Sequence, residues 1–81
     1  MSVFSDEPRL TLFQRDICPL CDAALEVLAL ARAPEFASVW IDGDTHLEAR
    51  YGDRVPVLRD VVHGTELNWP FDADVVRGFL P

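Results

Sequence analysis

The chain has no lysine. All seven of its basic residues are arginine, set against fourteen acidic residues for a formal net charge of −7. Phosphate binding needs a basic patch, so the acidic balance argues against nucleic acid as a partner. An anionic membrane surface is disfavoured on the same ground. With no ammonium side chain to offer, any positive group that supports an anion here must be a guanidinium. Long hydrophobic runs are also missing. No apolar stretch approaches the ~18–20 residues that span a bilayer, and the acidic segment from Met1 to Pro8 lacks the apolar core of a signal peptide. The expectation is a cytoplasmic protein in a reducing compartment. Cysteine is scarce, with two in 81 residues, and in a reducing compartment such a pair is more often catalytic or metal-binding than a structural staple. Yet 49% of the residues are hydrophobic and 26% charged, as in a globular domain and not a disordered tail. The length suits one domain, residues 1–81, near the lower limit for a self-sufficient core.

Both cysteines lie in Asp16-Ile17-Cys18-Pro19-Leu20-Cys21, where a short apolar run gives way to a helical pattern. A Cys-x-x-Cys at such a junction in a short chain points to a redox pair. A helix N-terminus carries about half a positive charge and several unpaired N–H groups, both of which favour a thiolate. The thiolate is the form of cysteine that attacks disulfides. Proline suits the first helical position, where its missing N–H would have no partner. With Cys18 at the cap, both sulfurs fall on one face at the helix mouth. Two buried thiols, or half of a zinc site completed by His46 and His63, are the alternatives; the histidines follow no finger spacing. Asp42, Asp44 and Asp53 lack the spacing of an EF-hand and serve better as turn and cap residues. Trp40 and Trp69 are expected to pack in the core and near the site.

The rest of the chain supplies a frame for that pair. After a frayed lead-in over Ser2 to Pro8, Leu10-Thr11-Leu12-Phe13 forms a first strand and Gln14 to Ile17 a turn. Cys21, Ala24, Leu25, Leu28 and Ala31 define one helical face, widened by Val27 and Leu30, and Pro34 stops the helix. Val39-Trp40-Ile41 forms a second strand. A short helix follows, with Thr45 and Glu48 as a capping box and Gly52 in the left-handed terminal position. A third strand starts at Val55-Pro56 and runs towards Val62; His63-Gly64 turns it into a fourth over Thr65-Glu66-Leu67. Asp72 caps a last helix with Val75, Val76, Phe79 and Leu80 on its apolar face. The order β-α-β-α-β-β-α gives an α/β domain: a four-stranded mixed sheet, its first two strands parallel through the helical crossover, with helices on both faces.

With Cys18-x-x-Cys21, Ile41-Asp42-Gly43-Asp44, Tyr51-Gly52-Asp53-Arg54-Val55-Pro56-Val57-Leu58 and Trp69-Pro70-Phe71-Asp72, the chain resembles the glutaredoxin branch of the thioredoxin fold. More narrowly, it resembles small bacterial glutaredoxin-like proteins of undefined substrate. The resemblance implies a thiol–disulfide oxidoreductase with Cys18 as exposed nucleophile and Cys21 as buried resolving thiol. It implies a cis Pro56 that places the Val55 backbone opposite the disulfide, to pair with an extended substrate. Arg15 matches a position often basic in glutaredoxins, where it meets a glutathione carboxylate and supports the thiolate; a solvated loop arginine is the plainer reading. Asp72 would meet an amino group. The substrate-contacting set is then Arg15, Pro19, Leu20, Val55, Pro56 and Asp72. Two departures bear on glutathione: Leu20 replaces the usual aromatic between the cysteines, and Asn68 to Asp72 replaces a Gly-Gly kink. No bound cofactor or metal is expected, and a cluster-bridged dimer is disfavoured because such glutaredoxins typically keep one active-site cysteine. Glutathione is a candidate co-substrate, the partner a disulfide-containing protein or glutathione mixed disulfide, and the chain a monomer. A competing class is a binding module of the same fold, in which the cysteines switch or stay inert.

Overall fold

A computed structural model describes residues 8–80, so most of the lead-in expected over Ser2 to Pro8 lies outside the described residues. Seven elements follow in the expected order: β1 (Leu10–Gln14), α1 (Pro19–Leu30), β2 (Phe36–Trp40), α2 (Thr45–Tyr51), β3 (Val57–Asp60), β4 (Thr65–Asn68) and α3 (Ala73–Phe79). They form one four-stranded sheet of order β2-β1-β3-β4. Strand β1 runs parallel to β2, with Leu10 beside Phe36 and Gln14 beside Trp40. It is antiparallel to β3, which is antiparallel to β4.

Alternation along β1 divides the core in two. Leu10 and Leu12 join Ala24, Leu28 and Ala31 of α1, Leu58 of β3, and Phe71 and Val76 around α3. Across the sheet Phe13 packs instead with Ile41, Tyr51, Val57, Leu47 and Val55, and its ring stacks on Tyr51 with centroids 4.2 Å apart. Helices α1 and α3 thus cover one face and α2 the other.

Several boundaries differ from the sequence expectation, each for a local reason. Strand β1 extends through Gln14, and β2 starts three residues early, at Phe36. Helix α1 ends before Pro34 is reached. Arg32 turns left-handed at φ 56°, and its N–H and that of Ala33 bond back to Ala29 and Leu28 at 3.0 Å each. This is a Schellman closure built on arginine in place of glycine. Leu25 and Leu30 stand 36% and 72% exposed, so the buried stripe of α1 is narrower than its apolar residues imply. Val75 on α3 is likewise exposed, as is Trp40. Helix α2 is capped by Asp44, whose carboxylate accepts from Leu47 N–H at 3.0 Å. Thr45 is its first residue, and Glu48 pairs with Arg15 instead of closing a capping box. Gly52 is right-handed, at φ −50°. What it requires is space, because a Cβ there would sit 2.5 Å from the Glu48 carbonyl. Strand β3 stops at Asp60, not Val62. The Asp60 carboxylate captures the N–H groups of Val62 and His63 at 3.0 and 3.2 Å, diverting them from the ladder. Gly64, at φ 73°, closes the loop back to β4.

Candidate active site

The end of β1 delivers the chain into a loop that is tied down on both sides. Asp16 N–H donates to Asp42 Oδ1 at 2.9 Å, fastening the loop to the β2–α2 turn. Arg15 reaches α2, where it donates to Glu48 Oε2 at 3.1 Å and to the Gly52 carbonyl at 3.1 Å. The hydrogen-bonded Glu48 carboxylate raises the Arg15 pKa further. Arg15 therefore lies beside the pair in sequence, with its guanidinium committed to α2.

Cys18 is the N-cap of α1, in extended conformation, and Pro19 opens the helix. Cys18 Sγ accepts from the Cys21 N–H at 3.1 Å, the bond by which a helix start stabilises charge on a capping atom. The two cysteines are joined as a disulfide, with Cα atoms 5.2 Å apart. Their surroundings are unequal. Cys21 is 1% exposed, on the buried face of α1 with Ala24 and Leu28, whereas Cys18 is partly exposed, between Ile17 and Leu20 at 90% and 52%. One sulfur-bearing residue meets solvent at the helix mouth and the other backs onto the core.

Opposite Leu20 the chain passes from α2 into β3. The Val55–Pro56 peptide bond is cis, as is Trp69–Pro70. The Val55 N–H donates to the Tyr51 carbonyl at 3.2 Å. Among the described residues, the Val55 carbonyl accepts no backbone hydrogen bond. Leu20, Asp53, Arg54, Val55, Asn68 and Trp69 line a cleft of about 370 Å³. Trp69 is propped there by an edge-on contact with Phe71, centroids 5.0 Å apart. Asp72 spends its carboxylate as the N-cap of α3, accepting from Val75 N–H at 2.8 Å. The structure thus gathers Pro19, Leu20, Val55 and Pro56 about the disulfide's end of the sheet, and gives Arg15 and Asp72 structural partners.

Sequence reasoning passed over Arg54 and Asn68 as cleft residues. The signal available was position, since each stands two residues before a cis proline. It also passed over the hub behind them. Glu66 accepts from Tyr51 Oη at 2.6 Å, Arg59 at 2.8 Å, Arg50 at 3.2 Å and Arg54 at 3.3 Å. Burial pushes the Glu66 carboxyl up, but hydrogen bonds from Tyr51, Arg59 and Arg54 outweigh it and leave the pKa lowered. Burial and the neighbouring Glu66 raise Tyr51 in turn. On the far side, Arg9 grips Asp60 at 2.9 Å and holds its carboxyl well below the usual range, against the effect of burial. His63 sits beside that pair, with Nδ1 2.8 Å from Arg9 Nη2, and His46 is exposed on α2. Neither completes a zinc site with the cysteines: among the described residues no three metal-ligating side chains converge. No helix among them is long and apolar enough to cross a membrane.

The geometry has counterparts of known structure. The X-ray structure of protein XcR50 from X. campestris is 61% identical, covering 86% of this chain and 92% of that one, with a TM-score of 0.83. The solution structure of protein Ne2328 from Nitrosomonas europaea is 33% identical over the full length of both chains, with a TM-score of 0.73. No curated protein matches. The glutaredoxin-like domain family (DUF836) matches residues 9–81. With a thioredoxin-like sheet, a capping Cys18 and a buried Cys21, the chain belongs to that glutaredoxin-like family.

Proposed function

We propose that the protein is a dithiol–disulfide oxidoreductase in which Cys18 attacks and Cys21 resolves. The observation that carries this reading is the capping geometry: a partly exposed Cys18 whose Sγ takes the Cys21 N–H at 3.1 Å, ahead of a 12-residue helix. A thiolate at that atom gains a hydrogen bond and the favourable end of the helix dipole. Asp16 and Asp22 oppose it through charge, but exposed charges are screened over about 8–10 Å in physiological salt, while the N–H acts at contact.

In the reduced protein, the Cys18 thiolate attacks one sulfur of a substrate disulfide. A Cys18–substrate bond forms and the other substrate sulfur leaves as thiolate. Cys21, losing its proton, attacks Cys18 Sγ, breaks that mixed disulfide and releases the second substrate thiolate. The substrate gains two electrons and the protein is left as the Cys18–Cys21 disulfide. A thiol reductant of the glutathione or thioredoxin class restores the dithiol by the same exchange.

The test is trapping and alkylation. Cys21→Ser is expected to accumulate mixed disulfides, Cys18→Ser to abolish turnover, and Cys18 to alkylate faster at neutral pH than free cysteine. A Cys21→Ser protein that captures nothing, with Cys18 no more reactive than the free amino acid, leaves only a binding module of this fold.

A further inference from the structure

The cleft beside the disulfide carries one feature that thiol exchange does not use. Arg54 lines it together with Leu20 of the Cys-x-x-Cys turn and Val55. The guanidinium is held from behind at three points: Nε to the Arg50 carbonyl at 3.3 Å, Nη1 to Asn68 Oδ1 at 2.9 Å, and Nη2 to Glu66 Oε1 at 3.3 Å. It also lies over the Tyr51 ring, 5.1 Å from the centroid. A guanidinium has five N–H groups, so after these three bonds one remains on each terminal nitrogen, available to an acceptor. Its charge is not cancelled by its partner, because Arg50 and Arg59 bind the same Glu66 carboxylate. Three cations share one anion there, in a chain that is acidic elsewhere. The Val55 backbone adds to the case. Its N–H is already given to Tyr51, so an incoming chain finds one backbone group at this position, the carbonyl, and selection passes to the cleft side chains.

We propose that Arg54 is a specificity-determining residue that reads a carboxylate on the disulfide substrate, next to the sulfur attacked by Cys18. This rests on the oxidoreductase reading for turnover, but not for binding. Asp53, on the same cleft, has the opposite preference and tempers the selectivity. The carboxylate belongs either to the chain end of a low-mass thiol or to an acidic side chain beside a protein cysteine.

The experiment mixes prereduced protein with matched small disulfides and follows its oxidation by tryptophan fluorescence, so that no electron donor is needed. Second-order rates, each divided by the rate of the same disulfide with free dithiothreitol to remove leaving-group differences, are expected to fall from 3,3′-dithiodipropionate (anionic) through bis(2-hydroxyethyl) disulfide (neutral) to cystamine (cationic). Arg54→Gln is expected to shrink the anionic-to-neutral rate ratio by about tenfold, the scale of a lost charge-assisted hydrogen bond. Arg54→Lys keeps part of the ratio. Asp53→Asn raises it, and Arg50→Gln, in the same hub but outside the cleft, lowers it by much less than Arg54→Gln, by leaving Glu66 to fewer cations. A wild-type ratio near one, a ratio surviving in Arg54→Gln, or an equal fall in Arg50→Gln overturns the proposal. If no disulfide oxidises the protein, the oxidoreductase reading fails and binding decides. Redox-inert 3,3′-thiodipropionate should then shift the Trp69 indole resonance in wild type and not in Arg54→Gln; no shift in wild type overturns the subsite. Cysteine peptide disulfides separate the sources, one with an acidic neighbour and an amidated end, one with a free end and no acidic side chain. Preference for either over a doubly neutral peptide supports the proposal and names its source, and preference for neither overturns it.

Discussion

On the α1–α3 side of the sheet, eight buried residues from β1, β3, α1, α3 and the positions beside those helices close a continuous apolar core. On the α2 side, among the described residues, a smaller cluster of Ile41, Tyr51 and Val57, with Phe13, Leu47 and Val55 packed on it, is supplemented by ion pairs: Glu66 with Arg50, Arg54 and Arg59, and Arg15 with Glu48. The first face is stabilised by removal of apolar area from water and is indifferent to salt and pH. The second depends on charges that salt screens and acid discharges. Cys21 is buried on α1 with Ala24 and Leu28, and Leu20, between the cysteines, shares a cleft with Asp53, Arg54 and Val55 that follow α2.

The comparison can be broken most forcefully on the apolar side. Leu28→Ala is expected to cost about 2–5 kcal/mol, read as a lower urea midpoint, with no dependence of the loss on salt. On the α2 side, Tyr51→Phe keeps the ring stack on Phe13 but removes the hydroxyl from Glu66; about 1–2 kcal/mol is expected, the scale of a charge-assisted hydrogen bond. A loss at Tyr51 as large as that at Leu28 would erase the distinction between the faces. Acid sharpens it. Glu66 is lowered in the folded protein, so its stabilisation is complete above the ordinary carboxylate pKa, about 4.3, and is lost as pH falls through the folded value. Asp60 is lowered likewise and acts in the same direction. Thermal midpoints of wild type should therefore drop on acidification below about pH 4, and Glu66→Gln should flatten that drop while lowering stability at neutral pH. The smallest effect concerns neither face. Arg32→Gly places glycine at the left-handed end of α1 and should raise stability by up to about 1 kcal/mol, visible as a small rise in urea midpoint.

Much of this is legible in the sequence. The alternating Leu10-Thr11-Leu12-Phe13 run, the apolar spacing of Cys21, Ala24, Leu28 and Ala31, and Asp72 as a cap each rest on neighbours within a turn or two, where periodicity and capping chemistry operate. So does the placement of Cys18 at a helix mouth. The errors have one origin. Thr45 was outcompeted by Asp44 one residue earlier; Val62 left the strand because the Asp60 carboxylate took its N–H and that of His63; Leu30 and Val75 are apolar by type yet stand exposed. In each case a competitor or an absent neighbour decided, and neither is visible in a window of sequence.

What the sequence settled alone, then, is local: which stretches are helical or extended, and that both sulfurs share one helix start. Only the folded chain decided which charges meet. Arg54, Arg59 and Glu66 converge because the β3–β4 register and the seat of α2 bring them together, and Arg15 turns to Glu48 because α2 packs beside the loop before Cys18. Hydrophobic spacing is written residue by residue, whereas an ion pair between distant segments exists only once the backbone has fixed the distance over which charge acts.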